Sequence, residues 1–140
     1  MKKENQHFLN LLPSNFRHEK LFLIEKNLLD LTKLSLLKDS ELNHILTSYP
    51  LCTLNNLKKI RAIAIFNTSI KISPAEGYLL LHCGIGSVKS LSNVNPYELI
   101  QRIGRLERKL GTKIETTINL ALLKSWILKA KNDLNNNNFG

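Results

Sequence analysis

The sequence lacks most of what announces an enzyme, a secreted scaffold or a membrane protein. It has two cysteines, Cys52 and Cys83, far apart and without CxxC spacing. Neither a zinc site nor a redox motif is signalled, and both thiols are expected to be reduced and largely buried. Aromatic residues make up 6% of the chain, with a single tryptophan, so leucine and isoleucine must supply the core. No carboxylate pair, Walker loop or nucleophile elbow is visible. His7, His18 and His44 have no second ligand at metal spacing. His82 and Cys83 are adjacent, but neighbours on a helix point about 100° apart and do not form a nucleophile–base pair. Trp126, with Leu120, Leu123 and Ile127, is most simply core. No enzyme activity, metal or cofactor is therefore expected. No apolar run approaches the roughly 20 residues of a membrane span, and the start, MKKENQHFLN, has no run of signal-peptide kind. The expectation is a soluble, cytoplasmic protein with no membrane partner and no small-molecule substrate.

What is present is a basic chain of one-domain length. It has 140 residues and a formal net charge of +9. Residues 1–57 hold seven Lys/Arg against six Asp/Glu, whereas residues 58–132 hold thirteen against four. The excess positive charge thus sits in the second half. Such asymmetry points to an acidic partner, of which nucleic acid is the commonest, or else to a merely solvated surface.

The pattern between a polar N-terminus (1–12, expected to be flexible) and an Asn-rich tail (133–140, expected to be disordered) is helical. SPAEGYLLLHCG combines a cap at Ser73, Pro74 in the first turn, Glu76 for a capping box and Gly84 as a stop. NPYELIQRIGRLERKLG repeats that grammar with Asn95, Pro96, Glu98 and Gly111. Ser14 is a further cap candidate. IRAIAIF alternates briefly, but the spacing of Leu54, Leu57, Ile60 and Ala64 fits a helix better. The expectation is an all-α domain over 13–132.

An internal repeat organises these helices. Shifted by 57 residues, NLLDLTKLSLLKDSELNHIL (27–46) lies over GIGSVKSLSNVNPYELIQRI (84–103). Leu31 then falls on Val88, Leu34 on Leu91, Glu41 on Glu98 and Leu42 on Leu99. With a short insertion, 56–63 also lies over 119–126. Unit one is expected over about 14–66 and unit two over about 73–131, packed together through their apolar faces.

At the centre of unit two stands GIGSVKS. Gly84 can end a helix in the left-handed conformation and Ile85 can plug the corner into the core. Gly86 permits close approach of another chain, and the free N–H groups at the next helix start suit a phosphate. GIGSVKS resembles the helix-hairpin-helix signature, two glycines around a hydrophobic residue and a small residue four positions later. LPSNFRHE, NLKKIRAIA, SPAEGYLLLHCGIGSVKSL, RIGRLERKL and LKSWILKA extend the likeness over roughly 13–131. That span is similar to a bacterial domain of unknown function, the 4332 family, built from tandem helix-hairpin-helix units. The resemblance implies an all-α fold of two such units and backbone contact with nucleic acid through main-chain amides, without readout of sequence. The first unit departs from the signature, with Asn27 and Leu29 in the slots of Gly84 and Gly86 and Asp30 in that of Ser87. It is therefore read as structural. In the second, Val88 occupies a position that is often basic, and Lys89 stands next to it.

On RIGRLERKL, Leu99, Ile103, Leu106 and Leu110 share one side of the helix, and Arg102, Arg105, Arg108 and Lys109 spread over the other. Such a stripe suits phosphate contacts. Lys58, Lys59 and Arg61 form a smaller basic cluster. Aromatics are nearly absent from these stretches, which disfavours base stacking. The candidate nucleic-acid site is accordingly Gly84, Gly86 and Ser87 through main-chain N–H groups, with Lys89, Arg102, Arg105 and Lys109 supplying charge. Duplex DNA is the expected partner. The alternative is a protein–protein adaptor that keeps the same fold without binding nucleic acid, which requires an exposed apolar patch.

Overall fold

Apolar residues at helical spacing, punctuated by side-chain caps, divide the chain into eight α-helices and no strand among the residues that the computed structural model describes, 12–28, 30–110 and 118–139. A 3₁₀ turn, Ser14–Phe16, leads into α1 (Arg17–Glu25). Then follow α2 (Leu31–Ser35), α3 (Asp39–Ser48), α4 (Leu54–Ile65), α5 (Pro74–His82), α6 (Val88–Asn93), α7 (Pro96–Leu110) and α8 (Leu120–Phe139). IRAIAIF is helical over Ile60–Ile65 within α4. The capping box of α5 is formed: the Ser73 hydroxyl accepts from the Glu76 N–H at 3.3 Å and Glu76 Oε1 accepts from the Ser73 N–H at 3.3 Å. Asn95 caps α7 by accepting from the Tyr97 N–H at 2.8 Å. Ser14 caps nothing, because it lies inside the 3₁₀ turn.

Two corners are built with the same hydrogen bonds 57 residues apart. After α1, the Asn27 N–H reaches the Ile24 carbonyl at 3.2 Å and the Leu28 N–H reaches the Leu23 carbonyl at 2.9 Å. After α5, the Gly84 N–H reaches Leu81 at 3.0 Å and the Ile85 N–H reaches Leu80 at 2.9 Å. Both are Schellman closures around a left-handed residue, Asn27 at φ 53° and Gly84 at φ 88°. Each next helix is then capped by a side chain, Asp30 accepting from the Thr32 N–H at 2.9 Å and Ser87 from the Ser90 N–H at 3.0 Å.

Packing follows the same correspondence. Helix α2 lies against α4, and α6 lies against α8. One core cluster gathers Phe16, Phe22, Leu23, Leu31, Leu34, Leu42, Leu57, Ile60 and Ile63. A second gathers Phe66, Ile70, Leu80, Ile85, Leu91, Leu99, Leu123 and Trp126. The caps correct the overlay of α4 and α8. Thr53 caps α4 and Asn119 caps α8, so Leu57 matches Leu123 and Ala64 matches Ala130, almost one turn away from the overlay of 56–63 on 119–126. Between the halves, α4 widens into one π turn (Phe66–Ile70) and closes on Lys71 at φ 67°. Phe66, Ile70 and Ile72 are all fully buried there. The tail differs from expectation too. Residues 133–139 continue α8 as helix to Phe139, because Leu134 packs on the second core cluster and extends the apolar stripe of Ile127 and Ala130. A packed helix needs no new nucleus to continue through Asn-rich sequence.

One buried charge ties α1 to the start of α4. Glu19 is 1% exposed. Its Oε2 accepts from the Thr53 N–H at 2.8 Å and its Oε1 from the Asn56 side-chain amide at 3.2 Å. A carboxylate at the positive end of a helix is favourable, and its removal strands two donors. Glu19→Ala is expected to lower unfolding free energy by about 2–4 kcal/mol in urea titrations, with Glu19→Gln costing less because one acceptor survives.

Candidate nucleic-acid interface

The two glycines of the α5–α6 corner have different roles. Gly84 is required by the fold: at φ 88° a side chain would be strained. Its N–H is consumed by the Leu81 carbonyl, which overturns the expectation that Gly84 donates to a phosphate. Ile85 is 4% exposed and plugs the corner into the second core cluster. Gly86 has no such duty. Its φ is not left-handed, and a Cβ placed on it would meet nothing within 4 Å. It is exposed, as is Ser87, and the main-chain N–H groups of both have no acceptor among the described residues.

Val88 is 8% exposed because it begins α6 on the core side, where it packs into the second cluster. Lys89, next on the turn, is exposed. On α7, Arg102 donates from Nη1 to the Cys83 carbonyl at 3.3 Å and lies 4.0 Å from Glu98. Its guanidinium is thus held against the end of α5, directly before the corner. Arg105 is exposed and makes no ion pair among the described residues. Lys109 belongs to α7, but its side chain lies outside the described residues.

These residues flank the corner on two sides. On one side Gly86, Ser87 and Val88 line an open cavity of about 580 Å³ with Lys58 and Arg61 of α4 and Asp133 of α8. Arg61 is engaged there by Asp39 at 2.7 Å and by the Leu37 carbonyl at 3.1 Å. The Arg61 guanidinium beside Asp39 holds that carboxyl below its ordinary value. On the other side Arg102 and Arg105 line a cavity of about 250 Å³ with His82, Cys83 and Leu106. The lining residues therefore split: Gly86 and Ser87 line the Lys58 side and the two arginines the His82 side. The placement of Lys58 beside Gly86 was not legible in sequence. The basic cluster itself was visible, but which wall it forms depends on how α4 packs on α5.

Partial burial, and then the nearby Lys59 charge, lower the pKa of His82. The His82 ring meets Tyr78 edge-on at 4.5 Å. Burial, with Glu19 alongside, pushes the Cys52 thiol up to about 11, so it is a poor nucleophile at neutral pH. Among the described residues no group of three His, Cys, Asp or Glu could hold a metal ion, and no helix is long and apolar enough to cross a membrane. This surface offers exposed backbone, lysines and arginines around one sharp turn.

The family model described as a domain of unknown function (DUF4332) matches residues 13–133, and the chain belongs to that family. No curated protein and no solved structure matches it.

The two glycines separate in a stability measurement. Gly84→Ala is expected to cost about 1–2 kcal/mol, the penalty of a left-handed alanine, whereas Gly86→Ala changes unfolding free energy by less than about 0.5 kcal/mol. Equal losses at the two positions would show that Gly86 is structural after all.

Proposed function

We propose that this DUF4332 member is a cytoplasmic tandem helix-hairpin-helix module that binds the backbone of nucleic acid, duplex DNA first, without sequence preference and without catalysis. The observation that carries this reading is Gly86. The fold makes no use of a glycine there, yet its Cα faces open space and its N–H, with that of Ser87, has no acceptor among the described residues. A bare, open backbone is what a close-approaching phosphate chain needs. The recurrence of the same closure at Asn27 and Gly84 supports the two-hairpin description.

The first corner is a poor phosphate site. Its cap is the carboxylate of Asp30, which already accepts from Thr32 and repels an anion. Binding is therefore assigned to the second hairpin. There Gly86 and Ser87 donate amides, and Lys89, Arg102, Arg105 and Lys109 supply charge. The adaptor alternative is favoured by one observation, an open, largely apolar groove of about 470 Å³ between α1 and α3 lined by Phe22, Leu28, Leu37 and Ile45. Leu21 and Ile24 are also exposed on α1.

Fluorescence anisotropy with a random labelled duplex over a salt series tests the proposal. Affinity should fall with log salt at about −0.9 per phosphate contact, and the Arg102→Ala/Arg105→Ala double variant should flatten the slope by roughly two contacts. No binding at low salt would transfer the function to the α1–α3 groove and a protein partner.

A further inference from the structure

The arginine side of the corner carries more than the arginines. His82 lines the cavity of about 250 Å³ with Arg102 and Arg105, and it also lines a second cavity of about 330 Å³. That second cavity is walled by Lys59 and Tyr78, with Pro13, Asn15 and Phe16 at its rim. The two cavities therefore meet at one imidazole, with Lys59 of the first half on one flank and two arginines of the second half on the other. No carboxylate lines either cavity among the described residues. Glu98 lies 4.0 Å from Arg102. The other side of the corner, lined by Gly86 and Ser87, carries Lys58 and Arg61 with Asp133, and Arg61 is paired with Asp39 there.

We infer that Lys59 and His82 join Arg102 and Arg105 in one phosphodiester-binding face that spans both halves of the molecule, and that binding of a duplex is coupled to protonation of His82. The inference rests on the nucleic-acid reading above. Among the described residues, His82 shares its two cavities with Lys59 from α4, Tyr78 and Cys83 from its own segment, and Arg102 and Arg105 from α7, and the charged groups among these are cations. In the free protein partial burial first, and then the Lys59 charge, hold the ring's pKa below its ordinary value. A phosphate seated among the cations reverses that balance by placing a negative charge beside the ring. The imidazolium is then stabilised in the complex, so binding takes up a proton. Affinity must rise as pH falls through the range between the free and bound pKa values.

The experiment is anisotropy with the same random duplex at fixed ionic strength, at pH 7.5 and 5.5, on the full chain, His82→Gln and Lys59→Ala, with thermal melts of each at both pH values. A rise of about one pKa unit in the complex corresponds to binding tighter by roughly three- to tenfold at the lower pH, tenfold being the limit when both pKa values lie well between the two pH values. His82→Gln should remove that gain while His7, His18 and His44 remain. Lys59→Ala should keep a pH response but lower the salt slope by about one contact. Duplex binding with a pH response unchanged in His82→Gln would overturn this inference and leave the proposed function standing. So would an unchanged salt slope in Lys59→Ala, which serves as the independent variant should His82→Gln fail to fold. Absence of wild-type binding at either pH would overturn both.

Discussion

The second half of the molecule depends on a single left-handed residue, Gly84. A right-handed residue there would carry α5 onward instead of folding it back. With φ at 88°, the chain closes on Leu80 and Leu81, drives Ile85 into the core, and starts α6 in the direction that lets it pack on α8. The same geometry leaves Gly86 and Ser87 exposed. Core and surface are thus products of one backbone constraint: the bonds that satisfy the end of α5 use the amides of Gly84 and Ile85, and those of the next two residues find no acceptor among the described residues.

The first half solves the same problem with different chemistry. Asn27 tolerates positive φ, though less readily than glycine, and Asp30 supplies the cap that Ser87 supplies later. The fold accepts either pair. A phosphate does not, because an aspartate at the cap brings a negative charge to the place where the anion would sit. Two corners of one design can therefore diverge in function without diverging in shape. Further structural duties fall to the first half: Glu19 fastens α1 to α4, and the Arg61–Asp39 pair fastens α4 to the start of α3.

Much of this was legible in the sequence. Ser73 and Asn95 mark helix starts by chemistry that is local, and the positive φ at Asn27 follows from its alignment with Gly84. Other features are decided by packing and leave no local mark. The π turn after α4 has neither Gly nor Pro within it and exists because Phe66, Ile70 and Ile72 can all be buried. The helical tail depends on Leu134 finding the core. That Gly84 spends its amide internally becomes clear only once the closure is seen. The split of the basic residues between two walls depends on the packing of α4 against α5, which no spacing rule reaches.

The central claim is that the outward amides after Gly84 meet a phosphate chain. Amide chemical-shift mapping of the ¹⁵N-labelled protein against a short random duplex tests it most directly. The account predicts that the largest perturbations fall on Gly86 and Ser87, with Lys89 and the guanidinium signals of Arg102 and Arg105 moving with them, while Asn27 and Thr32 at the first corner stay still. Perturbations centred on the α1–α3 groove, or spread evenly over the basic surface with Gly86 unmoved, would contradict it.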